Sequence, residues 1–447
     1  MKKIVSILAI LAAFLPALSA QTEENIRKLT VEEAVELAIQ NNISIKQSKM
    51  QLNMYEKQKK NAVLNAVASP RMSVGVGLND SFPNGQKSLV TGKENENAIN
   101  FSVSGSASLS FTPALITQIN SAKIAYENGE NTYNTTKRTV EMTVRQTFYS
   151  LLNMKESIDS TLKAADAARR TYESNLAKYN RGHLDQLTLL TSQYNYERQL
   201  PGIDSLKNSY QNTLDNLKQV LGINLTEAVV LEGNLDDILN VKLDEAILQQ
   251  NLEEIPSVKN VKQTLKSVEN SLRQTKYSAY GPSASISFNY SGGAGIEPSK
   301  DFANNSISLG LNISVPLDGY IPWSNGAMSI DNQKLTLERT KLQLEDTKTT
   351  AAISIRNSFN TILNAQSQLK IYESNLELMQ KTYDMMQVAY NNGTKDLNSL
   401  QTAEDNLTTA RTNLQNQKYT IINAVLRLED TLGLPFGTLS QQSNKEE

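Results

Sequence analysis

Residues 211 positions apart match along most of the chain. Tyr179 and Tyr390, Gly182 and Gly393, Asp185 and Asp396, Leu189 and Leu400, Leu217 and Leu428, and Gly222 and Gly433 all share that offset. So do Arg145 and Arg356, Phe148 and Phe359, and Tyr172 and Tyr383. A single spacing held over so long a stretch means one structural unit used twice, and whatever one half forms the other must form too. Upstream the spacing drifts, to 212 between Pro70 and Pro282 and to 203 between Pro113 and Pro316. Insertions therefore fall in connecting loops. The division expected is a first repeat over 21–240, a second over 241–436, and a flexible tail over 437–447, with the repeats intertwined as one domain.

Each half carries two segments of strict alternation. Met72, Val74, Val76 and Leu78 alternate with Ser73, Gly75, Gly77 and Asn79, and Phe101, Val103, Ala107, Leu109 and Phe111 with serines. In the second half Ile286, Phe288 and Tyr290 alternate with Ser285, Ser287 and Asn289, and Ile307 to Val315 with Ser306, Ser308, Gly310, Asn312 and Ser314. Period two means strands with one apolar and one polar face. The polar face holds Ser, Gly and Asn but no Lys or Glu, which suits a lumen wall better than an open solvent face. Strands of about ten residues are also long enough to cross a bilayer at a tilt. A soluble sheet with one wet face is the competing reading. Four strands are too few to close a membrane barrel, whose smallest members have about eight. If these strands enter lipid, three chains must share one barrel of twelve.

Between the strands and the repeat's glycine turns lie long polar stretches without proline, from about Ala114 to Tyr179 and from about Gly326 to Tyr390. As helices each would span about 100 Å, which requires partners along the whole length. Asn180-Arg181-Gly182 and Asn391-Asn392-Gly393 then turn the chain into return helices reaching Leu221 and Leu432. Pro201 falls inside the first return helix while its repeat partner is Arg411, so a break near Leu200 is expected in the first hairpin only. At the start, Thr30 and Glu33 have capping-box spacing, and the helix they open is expected to run to about Ala66 and stop before Pro70. The fold class expected is mainly α with four strands: duplicated helical hairpins forming a trimeric α-barrel, plus a shared transmembrane β-barrel.

Lys2 and Lys3, an apolar run from Ile4 to Leu15, and the small residues Ala17, Ser19 and Ala20 read as a cleavable secretory signal over 1–20 rather than an anchor. Lys+Arg total 44 against 46 Asp+Glu, a net charge of -2, which argues against nucleic acid as the main partner. There is no cysteine, so thiolate metal sites and cysteine nucleophiles are excluded.

Catalytic chemistry finds no foothold. The one histidine, His183, has no companion ligand or base. Gly292-Gly293-Ala294-Gly295 lies between two alternating segments, lacks the following GK[ST], and reads as a loop, as do Gly85 and Gly92. No metal, cofactor or enzyme is expected. Asp185 and Asp396 follow the two turns and read either as parts of a constriction or as helix N-caps. Tyr320 and Trp323 follow the fourth strand and read either as membrane-interface aromatics or as packing at the joint between sheet and helix.

LTVEEAVELAIQNN at 29–42, AYNNGTKDLNSLQTAEDNLTTAR at 389–411 and the closing LGLP at 432–435 resemble the TolC-like outer membrane efflux proteins, and the resemblance covers nearly the whole mature chain, duplication included. It implies a homotrimer whose strands sit in outer-membrane lipid and whose helices cross the periplasm. It also implies docking onto a periplasmic adaptor and an inner-membrane transporter, with the turns Asn180, Arg181, Gly182, Asn391, Asn392 and Gly393 as the docking points. A gate at the helix tips would use Tyr390 with Lys395 as its basic partner. The family's aspartate rings, where present, fall on Ser399 and Thr402 here, and on Leu187 and Thr188 in the first half. Those positions are uncharged, so Asp396, with Asp185, is left to supply any acidic ring, and the entrance is expected to be less cation-selective than an acidic one. Residue patterning alone leaves one rival, a secreted coiled-coil structural or adhesive protein with a soluble β tip.

Overall fold

The computed structural model describes residues 27–68, 71–81, 98–239, 241, 243, 252–295 and 304–441. The signal over 1–20, Pro70, Gly85, Gly92 and residues 442–447 of the tail lie outside the described residues. In chain order the elements are β1 (Arg27–Leu29), α1 (Val31–Asn41), α2 (Ile43–Ala68), β2 (Arg71–Ser81), β3 (Ala98–Phe111), α3 (Ala114–Asn180), α4 (Gln186–Glu197), α5 (Leu200–Leu221), β4 (Val229–Leu231), α6 (Pro256–Tyr280), β5 (Ser283–Gly295), β6 (Asn304–Ser314), α7 (Asn325–Asn391), α8 (Leu397–Leu432) and α9 (Thr438–Gln441). α3 and α7 have 67 residues each. Their bounds differ by the repeat offset, 325 − 114 = 211 and 391 − 180 = 211. Two compact units form: one from segments up to residue 46, from 136–249 and from 355 onward, the other from 47–135 and 250–354. Each unit therefore draws on both halves of the chain.

The first unit starts at a capping box. Thr30 Oγ1 accepts from Glu33 N, and the Glu33 carboxylate accepts from Thr30 N at 2.9 Å. The helix expected to continue from here stops at Asn42. That residue is extended (φ -58°, ψ 130°), its Oδ1 accepts from Ser44 N at 2.9 Å, and its Nδ2 donates to Val220 O at 2.8 Å. Asparagine competes with the helix for its own backbone groups, which is why the chain restarts here as α2.

The core of this unit is written twice. Val144, Phe148 and Leu151 of α3 are buried, and so are Ile355, Phe359 and Ile362 of α7, each 211 residues on. The same holds for Leu214, Leu217 and Leu221 against Val425, Leu428 and Leu432. Spacings of three and four put each set on one helical stripe. Each such side chain contributes about 1.5–3 kcal/mol by leaving water.

Pro201 breaks the first return helix as expected. α4 ends at Glu197 and α5 begins at Leu200, whereas α8 runs 36 residues without interruption. Proline has no N–H to offer the carbonyl four residues back, and its ring crowds that carbonyl.

Four helices end alike. At Gly182, Gly222, Gly393 and Gly433 φ lies between 67° and 75°. In each case the next residue's N–H reaches a carbonyl five positions back: His183 to Lys178, Ile223 to Lys218, Thr394 to Ala389, and Leu434 to Glu429. This double closure satisfies the last carbonyls and needs the left-handed residue that glycine supplies most cheaply.

Behind two of these turns sit buried charges at equivalent positions. Lys218 Nζ donates to Leu225 O at 2.8 Å. Glu429, fully buried, accepts from Gly437 N and Leu439 N, both at 2.9 Å. Residues 437–441, expected to begin a flexible tail, are thereby fastened, with Leu439 buried and Thr438–Gln441 helical. Arg138 completes the clasp, bonding Asp430 at 2.7 Å and lying 4.6 Å over the Phe436 ring.

The second unit holds the four-stranded antiparallel sheet, in order β2-β3-β5-β6. Gly292-Gly293-Ala294-Gly295 is not a loop. It is the last part of β5, with Gly292 opposite Val103 and Gly295 opposite Asn100. A run with almost no side chains hid its alternation from the sequence pattern, while β3, longer than expected, offered a ladder to pair with. Helices of this unit interlock through small and polar groups. Asn270 Nδ2 donates to Thr117 O at 2.9 Å and to Ser121 Oγ at 2.7 Å. Asn131 bonds Asn260. The Tyr55 ring lies over Gly129, where a Cβ would meet it at 2.6 Å.

Candidate functional site

Two surfaces are candidates for function, one in each unit. The first is the sheet. Register aligns the apolar residues of all four strands: Met72 with Ala107, Val76 with Val103, Ala107 with Phe288, Leu109 with Ile286, Ile286 with Leu311, and Phe288 with Leu309. The same register aligns the small polar residues on the other face. Ser73 Oγ meets Ser106 Oγ, and Ser291 Oγ meets Ser306 Oγ, both at 2.7 Å. Gly77 sits so close to Ser102 that a Cβ would come within 2.8 Å of its hydroxyl.

Among the described residues, no element of the second unit covers the apolar face. Val74 is 82% exposed and Leu309 78%. Covering the eight exposed side chains of β2 and β6 alone would gain on the order of ten to twenty kcal/mol. β2 and β6 are the two edges, so the outward backbone groups of Arg71–Ser81 and Asn304–Ser314 have no ladder partner among the described residues. At the joint below β6, Tyr320 packs edge-on against Tyr280 with ring centroids 4.9 Å apart, while Trp323 stands 87% exposed. A cleft of about 660 Å³ nearby is lined by amides and hydroxyls, among them Gln274, Ser278, Asn325 and Asn332, and among the described residues by no ionisable group.

The second surface is the pair of helix tips in the first unit. Asp185 caps α4: its Oδ1 accepts from Thr188 N at 2.8 Å and its Oδ2 from Thr188 Oγ1 at 2.6 Å. Asp396 caps α8, accepting from Ser399 N at 2.7 Å. These bonds hold both carboxyls below their ordinary range, with the hydroxyls of Thr188 and Ser399 the largest cause. Lys395 is exposed and adds to the pull on Asp396. Thr402 donates back to Asn398 O at 2.9 Å, and Leu187 projects into solvent. The turn residues Asn180, Arg181, Gly182, Asn391, Asn392 and Gly393 are all exposed.

Tyr390 is tied down within the chain. Its hydroxyl donates to Asn175 Oδ1 at 2.8 Å, and Lys178 Nζ lies 5.3 Å from its ring centre. Burial pushes the phenol's pKa up. Asn175 is fully buried, and its Nδ2 has no hydrogen-bond partner among the described residues. The sequence reading paired Tyr390 with Lys395 by resemblance and missed Asn175 and Lys178. The available signal was a polar residue in an otherwise small and apolar stripe, Ala164, Ala165, Ala168, Asn175. Among the described residues no group of acidic, His or Cys side chains could hold a metal ion.

Long helical hairpins, written twice and joined to an open sheet with one oily and one small polar face, are the plan of an outer membrane channel fold. The chain belongs to the outer membrane efflux protein family, whose profile matches residues 34–223 and 247–434. It is thus a transport protein of the outer membrane and not a member of an enzyme family. Among solved structures it is similar to CusC, with a TM-score of 0.73 and 15% identity over 91% of this chain and 92% of that one. The CmeC outer membrane channel of Campylobacter jejuni gives 0.72 and 17% identity over 93% and 88% of the two chains. The MtrE outer membrane channel of Neisseria gonorrhoeae, in its open state, gives 0.69 and 14% over 90% and 89%. No curated protein sequence matches the chain.

Proposed function

We propose that three copies of this chain form the exit duct of a tripartite export system. The observation that carries this reading is the sheet, oily on one face, small and polar on the other, and open at both edges. In lipid an open edge leaves backbone groups unpaired, so the edges must join those of other copies. Three sheets of four give a barrel of twelve strands, with the apolar rows toward lipid and the Ser, Gly and Asn rows toward a water-filled passage. The long helices then extend into the periplasm as a second, helical barrel. Exported solutes enter from an inner-membrane transporter through a periplasmic adaptor, which docks at the turns around Gly182 and Gly393.

Conduction is passive and the entrance is gated. Tyr390 and Lys395 hold the tips closed, and a partner opens them by contacting the open arrangement better than the closed one. No acid sits at Ser399, Thr402, Leu187 or Thr188, so the entrance is less cation-selective than one with an acidic ring at those positions, and Asp396, with Asp185, supplies the acidic charge that remains. Tyr320 and Trp323 sit at the membrane interface. The test is single-channel conductance in planar bilayers. Tyr390→Phe combined with Lys395→Ala should conduct more than the parent, and equal conductance would remove this gate from the mechanism.

A further inference from the structure

The break in the first return helix sits over a polar cavity. Ala168 and Thr171 of α3, Ser192 and Asn195 of α4, Gln199 at the break, and Leu397, Leu400, Gln401 and Glu404 of α8 line a space of about 10 Å³. That is the room of one water molecule. Two of the lining groups lack partners among the described residues: Asn195 Nδ2, a donor, and Glu404 Oε1, an acceptor. Asn195 is 92% buried, from its 8% exposure, so its amide cannot turn to bulk solvent. A buried donor and a buried acceptor facing one water-sized space are a complementary pair.

The charges around Glu404 come from each neighbouring element. Asp405 follows it on α8. Arg198, the last residue before the break, bonds Asp405 at 3.0 and 3.4 Å. Tyr383 of α7 feels the charge of Glu404, and Arg170 of α3 and Arg411 of α8 act on that same phenol. Arg198 is also the C-cap of α4, its N–H bonded to Tyr194 O at 2.9 Å. One residue at the break thus closes α4 through its backbone and pairs with α8 through its side chain.

We propose that Asn195 and Glu404 hold a single water in this cavity, and that ionisation of Glu404 loosens the break at Arg198–Gln199, making it a proton-sensitive hinge. With Glu404 neutral, the water accepts from Asn195 and donates to Glu404, and Arg198 stays on Asp405. With Glu404 ionised, a bare carboxylate in this cavity draws in further water and competes with Asp405 for the Arg198 guanidinium, which loosens the turn between α4 and α5. Burial raises the Glu404 pKa to about 7, the neighbouring Asp405 charge adds to this, and Arg198 opposes it. Because the folded value is raised, the site is most cohesive below the ordinary carboxyl range, and that cohesion is lost as pH rises through about 7. The hinge belongs to the first unit alone and stands whether or not the chain conducts.

Hydrogen exchange of the purified full-length protein tests it, followed from about pH 5.5 to about pH 8.5 with intrinsic rates divided out. Peptides spanning 190–205 should lose protection in a step of about tenfold or more centred near neutrality. Glu404→Gln should abolish the step and keep the slow, low-pH behaviour. Asp405→Asn, at an exposed position, should move the midpoint down, and Arg198→Gln should move it up. A flat profile in the parent, a step that survives Glu404→Gln, or a midpoint unmoved by Asp405→Asn would each overturn the proposal.

Discussion

Replacing Tyr390 by Phe removes one oxygen, and its cost can be worked out from what surrounds Asn175. That amide is fully buried, has no partner for its Nδ2 among the described residues, and satisfies its Oδ1 through Tyr390 at 2.8 Å. Tyr390→Phe leaves an entire buried amide without partners, which costs about 1–3 kcal/mol. Asn175→Leu is a different perturbation. It removes the orphaned Nδ2 along with the acceptor, and the half-buried Tyr390 hydroxyl can turn to water, so it should cost about 1 kcal/mol or less. The double variant replaces both partners with apolar groups of similar size and should recover most of the loss, giving a coupling of about 1–2 kcal/mol. Native-state hydrogen exchange in peptides spanning 170–182 reads this directly, since about 1.4 kcal/mol is tenfold in rate. Tyr390→Phe should exchange roughly five to a hundred times faster than the parent, and the double variant close to it. Additive costs, or a larger penalty for Asn175→Leu than for Tyr390→Phe, would refute the assignment of Asn175 as the tyrosine's anchor.

Two more outcomes follow from the two ends of the chain's chemistry. Val74→Arg or Leu309→Arg on the apolar face should cut recovery of folded protein from membranes, at about 2–4 kcal/mol for a charge near mid-bilayer, whereas Ser104→Arg on the polar face should insert and narrow the conductance; equal insertion of all three would exclude lipid from the apolar face. Glu429→Gln keeps one acceptor where Gly437 N and Leu439 N need two, so one charge-assisted bond, about 1.5–3 kcal/mol, is lost; limited proteolysis should clip the chain after Leu434 earlier than in the parent, and an unchanged rate would remove Glu429 as the fastener.

The repeat, the long helices and their turns were legible because each has a strong local cause. The constant offset placed α3 and α7 within a residue or two of where they lie, and Pro201 located the break between α4 and α5. Gly182 and Gly393 were readable as helix stops because their left-handed backbone leaves glycine as the cheap choice. Asn42 was not readable as a break, since its reward is a bond to Val220, far away in sequence. β1 and β4, three residues each, pair in parallel and have no pattern long enough to detect. The glycines of β5 carried no alternation to read. At the tips, Tyr390 could be singled out by resemblance, but its partner Asn175 is 215 residues away and is set by packing. Glu404 looked like one more charge on a polar helix. Only the helix break opposite, with Asn195 and Arg198 just before it, makes it unlike the others.

Lys218 and Glu429 occupy one position of the duplicated plan with opposite signs. Compared letter by letter, the halves would register a charge reversal there and treat the site as lost. The backbone says otherwise: after each glycine stop the chain must be pinned back, in one half by a donor seeking a carbonyl and in the other by an acceptor seeking amides. What was copied is a mechanical requirement, and either polarity can meet it provided the following loop offers the complementary groups. A symmetrised chain, built by averaging the two halves, would therefore fail at this point first, and exchanging the two residues without exchanging the loops behind them should undo both fastenings at once.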